Sequence, residues 1–358
     1  MFKQLRSLSL SLRSIQFKRN IFSKTLGFTL IISLYTDVVM ASMDTAISAY
    51  QNNDYVLSKE HFLIALSSNA NNEQVHHYLG RIAYLQGEFE QAETYFMRAI
   101  ALNAKSSKNF YWLAVTLSGQ FTTVSIFSTF SLVDRFLNAA QQAVILEQNS
   151  LLAHEGLLKF YVSAPSILGG SLKQAKKHAM IISKLDEAAG HYALGRIHYQ
   201  EKEFKQAEQQ IRLAVALKPQ RIRYNYGLGL LLSTTERYIE AIDIFSGIAK
   251  LQAIDPFERI NIWLSMDKVG SISAQSGEKL TLGEKAITHY LHRNVSNPKL
   301  STTARAKFRL ATIYQHQGKN EQAVQLLNEI LVNQHSNELK KSIKKQLRKL
   351  ESISDDNG

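Results

Sequence analysis

Two stretches of the chain are copies of one another. Tyr192–Pro219 reads YALGRIHYQEKEFKQAEQQIRLAVALKP, and Tyr78–Ala104 reads YLGRIAYLQGEFEQAETYFMRAIALNA. Both carry Leu-Gly-Arg-Ile, an aromatic leading into an acidic turn, Gln-Ala-Glu, and a spaced apolar run ending in Ala-x-x-Leu. A stretch that recurs in this way describes a structural unit that cannot bury its apolar face alone and must stack on neighbours.

The period is visible in the small residues. Ala46, Gly80 and Ala114 are 34 apart, as are Gly195 and Gly229. Twelve residues after the small residue of a unit comes a second one, at Ala92, Ala207, Ala241 and Ala323. Phe96, Ile211, Phe245 and Leu327 follow four further on, and Ala99, Ala214, Ile248 and Ile330 complete the series. From Ser42 onward apolar residues recur at three- and four-residue spacing, with no alternating strand runs. Each unit therefore reads as two antiparallel helices. The small residue of the first lies where the second crosses, so that a side chain there would push the pair apart. Gly87-Glu88, Lys202-Glu203 and Gly318-Lys319 mark turns between paired helices.

At these positions the chain resembles the tetratricopeptide repeat family. Leu79-Gly80, Leu194-Gly195 and Leu228-Gly229 match the Leu-Gly of that family's first helix, and Leu310-Ala311 is a conservative variant. The resemblance implies an all-α, right-handed superhelical solenoid of about seven to eight helix pairs over residues 42–335. Three departures stand out: an insertion near 119–130, a second at 163–171, and a degenerate unit at 257–292. In the second insertion Pro165 ends a helix, Gly169-Gly170 permits a positive-φ turn and Ser171 is an N-cap. Similar Pro…Gly-Gly-Ser turns occur in some bacterial members of the family that carry signal sequences. In the degenerate unit, helices are expected at about Glu258–Ala274 and Leu280–His292. Residues 336–352 form a basic amphipathic helix, with Leu339, Ile343, Leu347 and Leu350 on one stripe and Lys340, Lys341, Lys344, Lys345, Arg348 and Lys349 around the rest. It reads as the cap of the last unit, and it offers weak contact with a membrane surface as a second use. Residues 353–358 read as a frayed tail.

Residues 1–41 read as a targeting segment. Lys3, Arg6, Arg13, Lys18, Arg19 and Lys24 precede the apolar run Thr25–Tyr35, and Val39-Met40-Ala41 fits cleavage after Ala41. The expected location is secreted, or periplasmic and envelope-associated. An uncleaved anchor or a mitochondrial presequence shares several of these features. Of the net charge of +12, +5 falls in this segment. The remaining +7 is too dispersed to imply nucleic acid.

Catalytic signatures are lacking. The chain has no cysteine, which removes disulfides, thiol nucleophiles and thiolate metal sites. Leu168-Gly-Gly-Ser171 lacks the lysine of a phosphate loop, and there is no nucleophile elbow and no His-Glu-x-x-His. His289 and His292 have no third ligand at recognisable spacing, and the adjacent His76 and His77 point to different faces. His191 and His198 lie two turns apart on a first helix, where they line a groove or pack. No cofactor, metal site or enzyme activity is expected.

What the resemblance implies instead is a binding groove. First helices line the concave face in this family, and the residue after the key small residue points into it. Here His77, Arg81 and Tyr84 hold the relevant positions in one unit and Tyr192, Arg196 and Tyr199 in another, with Tyr111 and Tyr226 at comparable places and Phe308 and Gln315 in the last unit. Arginine flanked by aromatics suits a carboxylate or an extended peptide backbone. The Lys and Asn positions with which family members clamp a terminal carboxylate over three units are not filled that way. The expected function is a non-catalytic scaffold or assembly factor holding a protein or peptide partner, with a small-molecule carrier as the alternative.

Overall fold

In a computed structural model the described residues are 42–121, 126–253, 256–293, 300–333 and 336–355. The targeting segment, the tip of the first insertion at 122–125 and residues 356–358 of the expected tail lie outside them, whereas residues 353–355 of that tail continue the last helix. The described residues form seventeen α-helices and no strand. These are α1 (42–51), α2 (Tyr55–Ser68), α3 (Glu73–Gln86), α4 (Phe89–Leu102), α5 (Ser107–Gln120), α6 (Ile126–Leu146), α7 (Leu151–Ser163), α8 (Leu172–Leu185), α9 (Glu187–Gln200), α10 (Phe204–Leu217), α11 (Ile222–Thr234), α12 (Tyr238–Ile248), α13 (Pro256–Ser276), α14 (Leu280–Leu291), α15 (Thr303–His316), α16 (Asn320–Asn333) and α17 (Asn337–Asp355). They make eight antiparallel pairs and a closing helix, confirming the helical solenoid.

Local chemistry sets the boundaries. Asp54, Asn72, Asp186 and Thr302 each accept a backbone N–H three residues on, which satisfies one of the donors left free at a helix start. The turn inside a pair closes through a left-handed residue: Asn53 (φ 65°), Gly87 (80°), Lys202 (62°), Glu236 (59°) and Gly318 (74°). Between α7 and α8, Gly169 takes φ +91° and Ser171 caps α8 by accepting from Gln174 N at 3.3 Å. Gly170 is constrained differently. A Cβ there would lie 1.8 Å from the Ala164 carbonyl oxygen.

The crossing within each pair follows the expected pairing of a small residue with a large one. A Cβ on Gly80 would meet the Phe96 ring at 2.8 Å, one on Gly195 the Ile211 Cγ1 at 2.5 Å, and one on Gly229 the Phe245 ring at 2.8 Å. Phe96 and Phe245 are fully buried, each worth about 1.5–3 kcal/mol of transfer free energy.

Odd-numbered helices also touch their odd neighbours, α3 with α5, α5 with α7, α7 with α9, α11 with α13 and α13 with α15. Even-numbered helices make no comparable contact among the described residues. The odd helices therefore form the inner wall and the even ones splay outside. The curl is tight: one apolar cluster joins Tyr50, Tyr78, Tyr84 and Trp112 of the first three pairs to Ile260, Trp263, Leu264 and Met266 of α13. At the far end α17 buries Leu339, Ile343 and Leu350 against Ala311, Ala323, Leu327 and Ile330. Its lysines face outward, and Lys341, Lys344, Lys345, Arg348 and Lys349 are exposed. Among the described residues no helix is long and apolar enough to cross a membrane.

Candidate functional site

The inner wall carries the residues singled out in the sequence, but not all of them reach its surface. Tyr84 does not. It is 4% exposed and packs on Phe89 and Trp112, so it is core and must be removed from the groove set. His77 is half-buried between helices. Its Nδ1 lies 2.7 Å from Asn109 Oδ1, and its ring stands edge-on to Phe96 and Trp112. Burial holds it below the ordinary histidine range, and the nearby Arg81 charge pushes the same way. Tyr111 packs edge-on to Trp112 and fills the space beside Gly156 of α7. Tyr192 lies against Tyr224 and over Gly227, joining α9 to α11, and burial raises its phenol. Tyr226 packs on Phe245; burial, followed by the Asp267 charge, pushes its phenol up to about 12.

Three of the eight keep a usable surface. Tyr199 is 36% exposed and its hydroxyl bonds Thr234 Oγ1 at 2.9 Å. Arg196 donates to Ser163 Oγ at 3.3 Å. Arg81 lies over the rings of Tyr50 at 4.9 Å and Trp112 at 4.6 Å. The copies differ here for a simple reason. Residues of α9 and α11 follow their counterparts of α3 and α5 by 115, so the place of Trp112 is taken by Gly227. Gly227 leaves Tyr199 uncovered where Trp112 covers Tyr84.

The structure adds groups that the repeat pattern does not single out. Arg223 makes a bidentate pair with Glu155, both contacts 2.6 Å, linking α11 to α7 across the intervening pair. These residues are 68 apart, twice the repeat period. Coulombic attraction and hydrogen bonding to Glu155 hold the Arg223 guanidinium protonated despite its burial. Arg221 pairs with Glu258 at 3.4 Å, and Arg309 pairs with Asp267, which also accepts from Ser301 at 2.8 Å. Between α7 and α8, His154 Nδ1 lies 2.8 Å from His178 Nδ1. Of the other histidines considered above, His191 bonds Gln210 on α10, and His198 lies 2.7 Å from Glu203 Oε2. His198, Glu201 and Glu203 could reach a common cation, but the Lys176 ammonium already sits 2.7 Å from Glu201 Oε1. That cluster reads as an ion-pair network tying α8 to the α9–α10 turn.

The inner wall offers aromatic area, paired charges that stiffen it, and two guanidiniums, Arg81 and Arg196, without a carboxylate partner among the described residues.

Comparison with known proteins agrees with this geometry. The sequence profile of the tetratricopeptide repeat matches residues 73–106, 188–221 and 304–331. No curated protein matches the chain. Among solved structures, yeast Tom70 superposes with a TM-score of 0.60 at 15% identity, covering 88% of this chain and 64% of its own. The APC/C hetero-tetramer Cut9-Hcn1 gives 0.52 at 12% identity, covering 87% of this chain and 55% of that one. The chain thus spans about half to two thirds of the length of these two solved chains. At these identities the likeness concerns the fold.

Proposed function

Since the chain is a tetratricopeptide-repeat protein, we propose that it is a non-catalytic scaffold or assembly factor that holds a protein or peptide segment against its inner wall. The observation that carries this reading is the pair of inner-wall guanidiniums without a carboxylate partner among the described residues, Arg81 over the Trp112 ring and Arg196 at Ser163, on a frame stiffened by the Arg223–Glu155 and Arg309–Asp267 pairs. A charge-assisted donor beside an aromatic face suits a segment with exposed backbone carbonyls or acids. The curled packing of α13 on the first three pairs disfavours the small-molecule carrier. Apolar residues there contact one another, which leaves the polar wall for a ligand.

Residues 1–41 are proposed to direct the chain to the cell envelope. The buried apolar stripe of α17 restricts any membrane contact of that helix to its charges.

One experiment addresses these points together. The chain is recovered from envelope fractions, its N-terminus is sequenced, and co-purifying protein is compared with that held by an Arg196→Ala/Tyr199→Ala variant. The expected result is an N-terminus at Ser42 and loss of at least ten-fold in partner recovery by the variant, with its helical signal intact. Undiminished recovery would remove the inner wall as the binding surface.

A further inference from the structure

The closing helix carries a charge pattern that capping the array does not use. α17 holds Lys340, Lys341, Lys344, Lys345, Arg348 and Lys349 against Glu338, Glu351 and Asp355, so +3 of the +7 outside the targeting segment falls in this one helix. The cations are not spread around it. Lys341, Lys344, Lys345, Arg348 and Lys349 are all exposed and recur at three- and four-residue spacing, which puts them on one side over about 12 Å of helix. Leu339, Ile343 and Leu350 take the other side, buried against α15 and α16. Gln346 fastens that side further, with bonds to Thr312 at 3.2 Å and Gln315 at 2.9 Å. The row is therefore fixed outward. None of its five cations has a carboxylate partner among the described residues, whereas Lys176, Lys218 and Lys307 each pair with an acid of a neighbouring element. Three like-charged pairs four residues apart, Lys341–Lys345, Lys344–Arg348 and Lys345–Lys349, also work against the helix that holds them. An anionic partner relieves all three.

We infer that the outward side of α17 docks the C-terminal end of the array onto a surface of anionic phospholipid, through charge alone. The inference rests on the envelope location proposed above and stands apart from the inner-wall reading. Three features select this partner. The apolar stripe is committed to the core, so no hydrophobic face enters the bilayer and the contact stays peripheral. The row contains no aromatic side chain on which a base could stack, which disfavours single-stranded nucleic acid. Four of its five cations are lysines, compact charges on flexible stems rather than forks for one fixed anion. Such a row matches a fluid sheet of head-group phosphates that rearranges beneath it, each cation contributing about five-fold in affinity at low salt. α17 packs on α15 and α16, so docking there leaves Arg196 and Tyr199 of α9 free for a partner.

The chain recovered from envelope fractions is titrated with vesicles of phosphatidylcholine alone, with vesicles containing about one third phosphatidylglycerol, and with a short DNA duplex. Wild type is compared with Lys344→Gln/Lys345→Gln/Arg348→Gln. A second variant, Lys173→Gln/Lys184→Gln/Lys205→Gln, removes the same charge from exposed sites on α8 and α10. Lys341→Arg/Lys344→Arg/Lys345→Arg keeps the charge of the row, and Arg196→Ala/Tyr199→Ala alters the inner wall. All share one N-terminus, so differences between them belong to the substituted sites.

The expected result is binding to the phosphatidylglycerol vesicles and not to phosphatidylcholine, weakening steeply as salt is raised. The α17 glutamine variant should lose at least ten-fold with its helical signal intact, and the α8 and α10 variant less than about two-fold, since its cations lie away from the docked end. The arginine variant should bind as wild type does, because only charge is used. The Arg196/Tyr199 variant should also bind vesicles as wild type does, so loss of vesicles and loss of partner are separate results. Equal losses in the two glutamine variants would overturn the assignment to α17. Equal binding to both kinds of vesicle, or binding to neither, would overturn the anionic surface. Binding to the duplex at least ten-fold tighter than to vesicles, and dependent on the same three residues, would overturn it in favour of nucleic acid. If the triple α17 variant does not fold, Lys345→Gln alone decides, with an expected loss of about five-fold and unchanged binding as the overturning result.

Discussion

Replacing Gly190 by alanine is expected to destabilise the middle of the array by up to about 2 kcal/mol, although alanine is the better helix former. Gly190 lies in α9 where it crosses α8, and a Cβ there would stand 2.5 Å from the Ser183 Cα and 2.3 Å from its Oγ. One of these atoms, the Cα, is backbone and cannot rotate away, so the helices must separate. Overpacking of this kind costs about 1–3 kcal/mol or more, against a propensity gain of about 1 kcal/mol. Gly247, exposed near the end of α12, has nothing within 4 Å of an added Cβ. There the same change should stabilise by up to about 1 kcal/mol. Urea unfolding gives the two signs, and hydrogen exchange should place the Gly190→Ala loss in α8 and α9, because a solenoid couples mainly to its neighbours. Equal effects at the two glycines would contradict the packing assigned to this crossing.

The second large effect is loss of stability in acid at the α7–α8 contact. His154 Nε2 lies 2.8 Å from the Gln148 carbonyl, which can only accept, so a neutral His154 carries its proton there. Its Nδ1 is then an acceptor for the His178 Nδ1–H at 2.8 Å. His178 stacks on Tyr161. Burial, then the neighbouring His154 and Lys177, bring it down to about 4 from an ordinary 6.5. The folded state thus favours the neutral ring, and the unfolded chain takes up the proton first. The associated stability is complete above about pH 6.5 and declines as pH falls toward 4. Allowing for solvent screening of a half-buried ring, the loss is roughly 1–2 kcal/mol. The urea midpoint should fall further between pH 7.5 and pH 4.5 for wild type than for His178→Asn. Parallel curves would show that this pair does not titrate with folding.

The repeat frame is legible in the sequence because it depends on local spacing. The small residues at Gly80, Gly195 and Gly229 and the large ones sixteen residues later had to meet if each unit was a helical hairpin, and they do. Bonds between units keep the same register, as in Tyr199 to Thr234 and Lys319 to Glu284. The inner wall is less legible because it depends on curvature. Glu155 and Arg223 meet only because the array bends across a whole pair, and Trp263 joins the cluster of Tyr50 only because it bends across five. Tyr84 and Tyr199 hold the same place in their units, yet one is core and the other is surface. What separates them is whether the next inner helix presents Trp112 or Gly227, a choice made one unit away.

The central claim is that the partner lies on the inner wall. Site-specific photocrosslinking tests it most directly, with a benzoylphenylalanine placed at Tyr199 on α9 or at Ile239 on α12, an exposed residue of the outer layer. The account predicts a crosslinked partner from position 199, lost when Arg196 is replaced by alanine, and none from position 239. Crosslinking from position 239 with none from position 199 would contradict it.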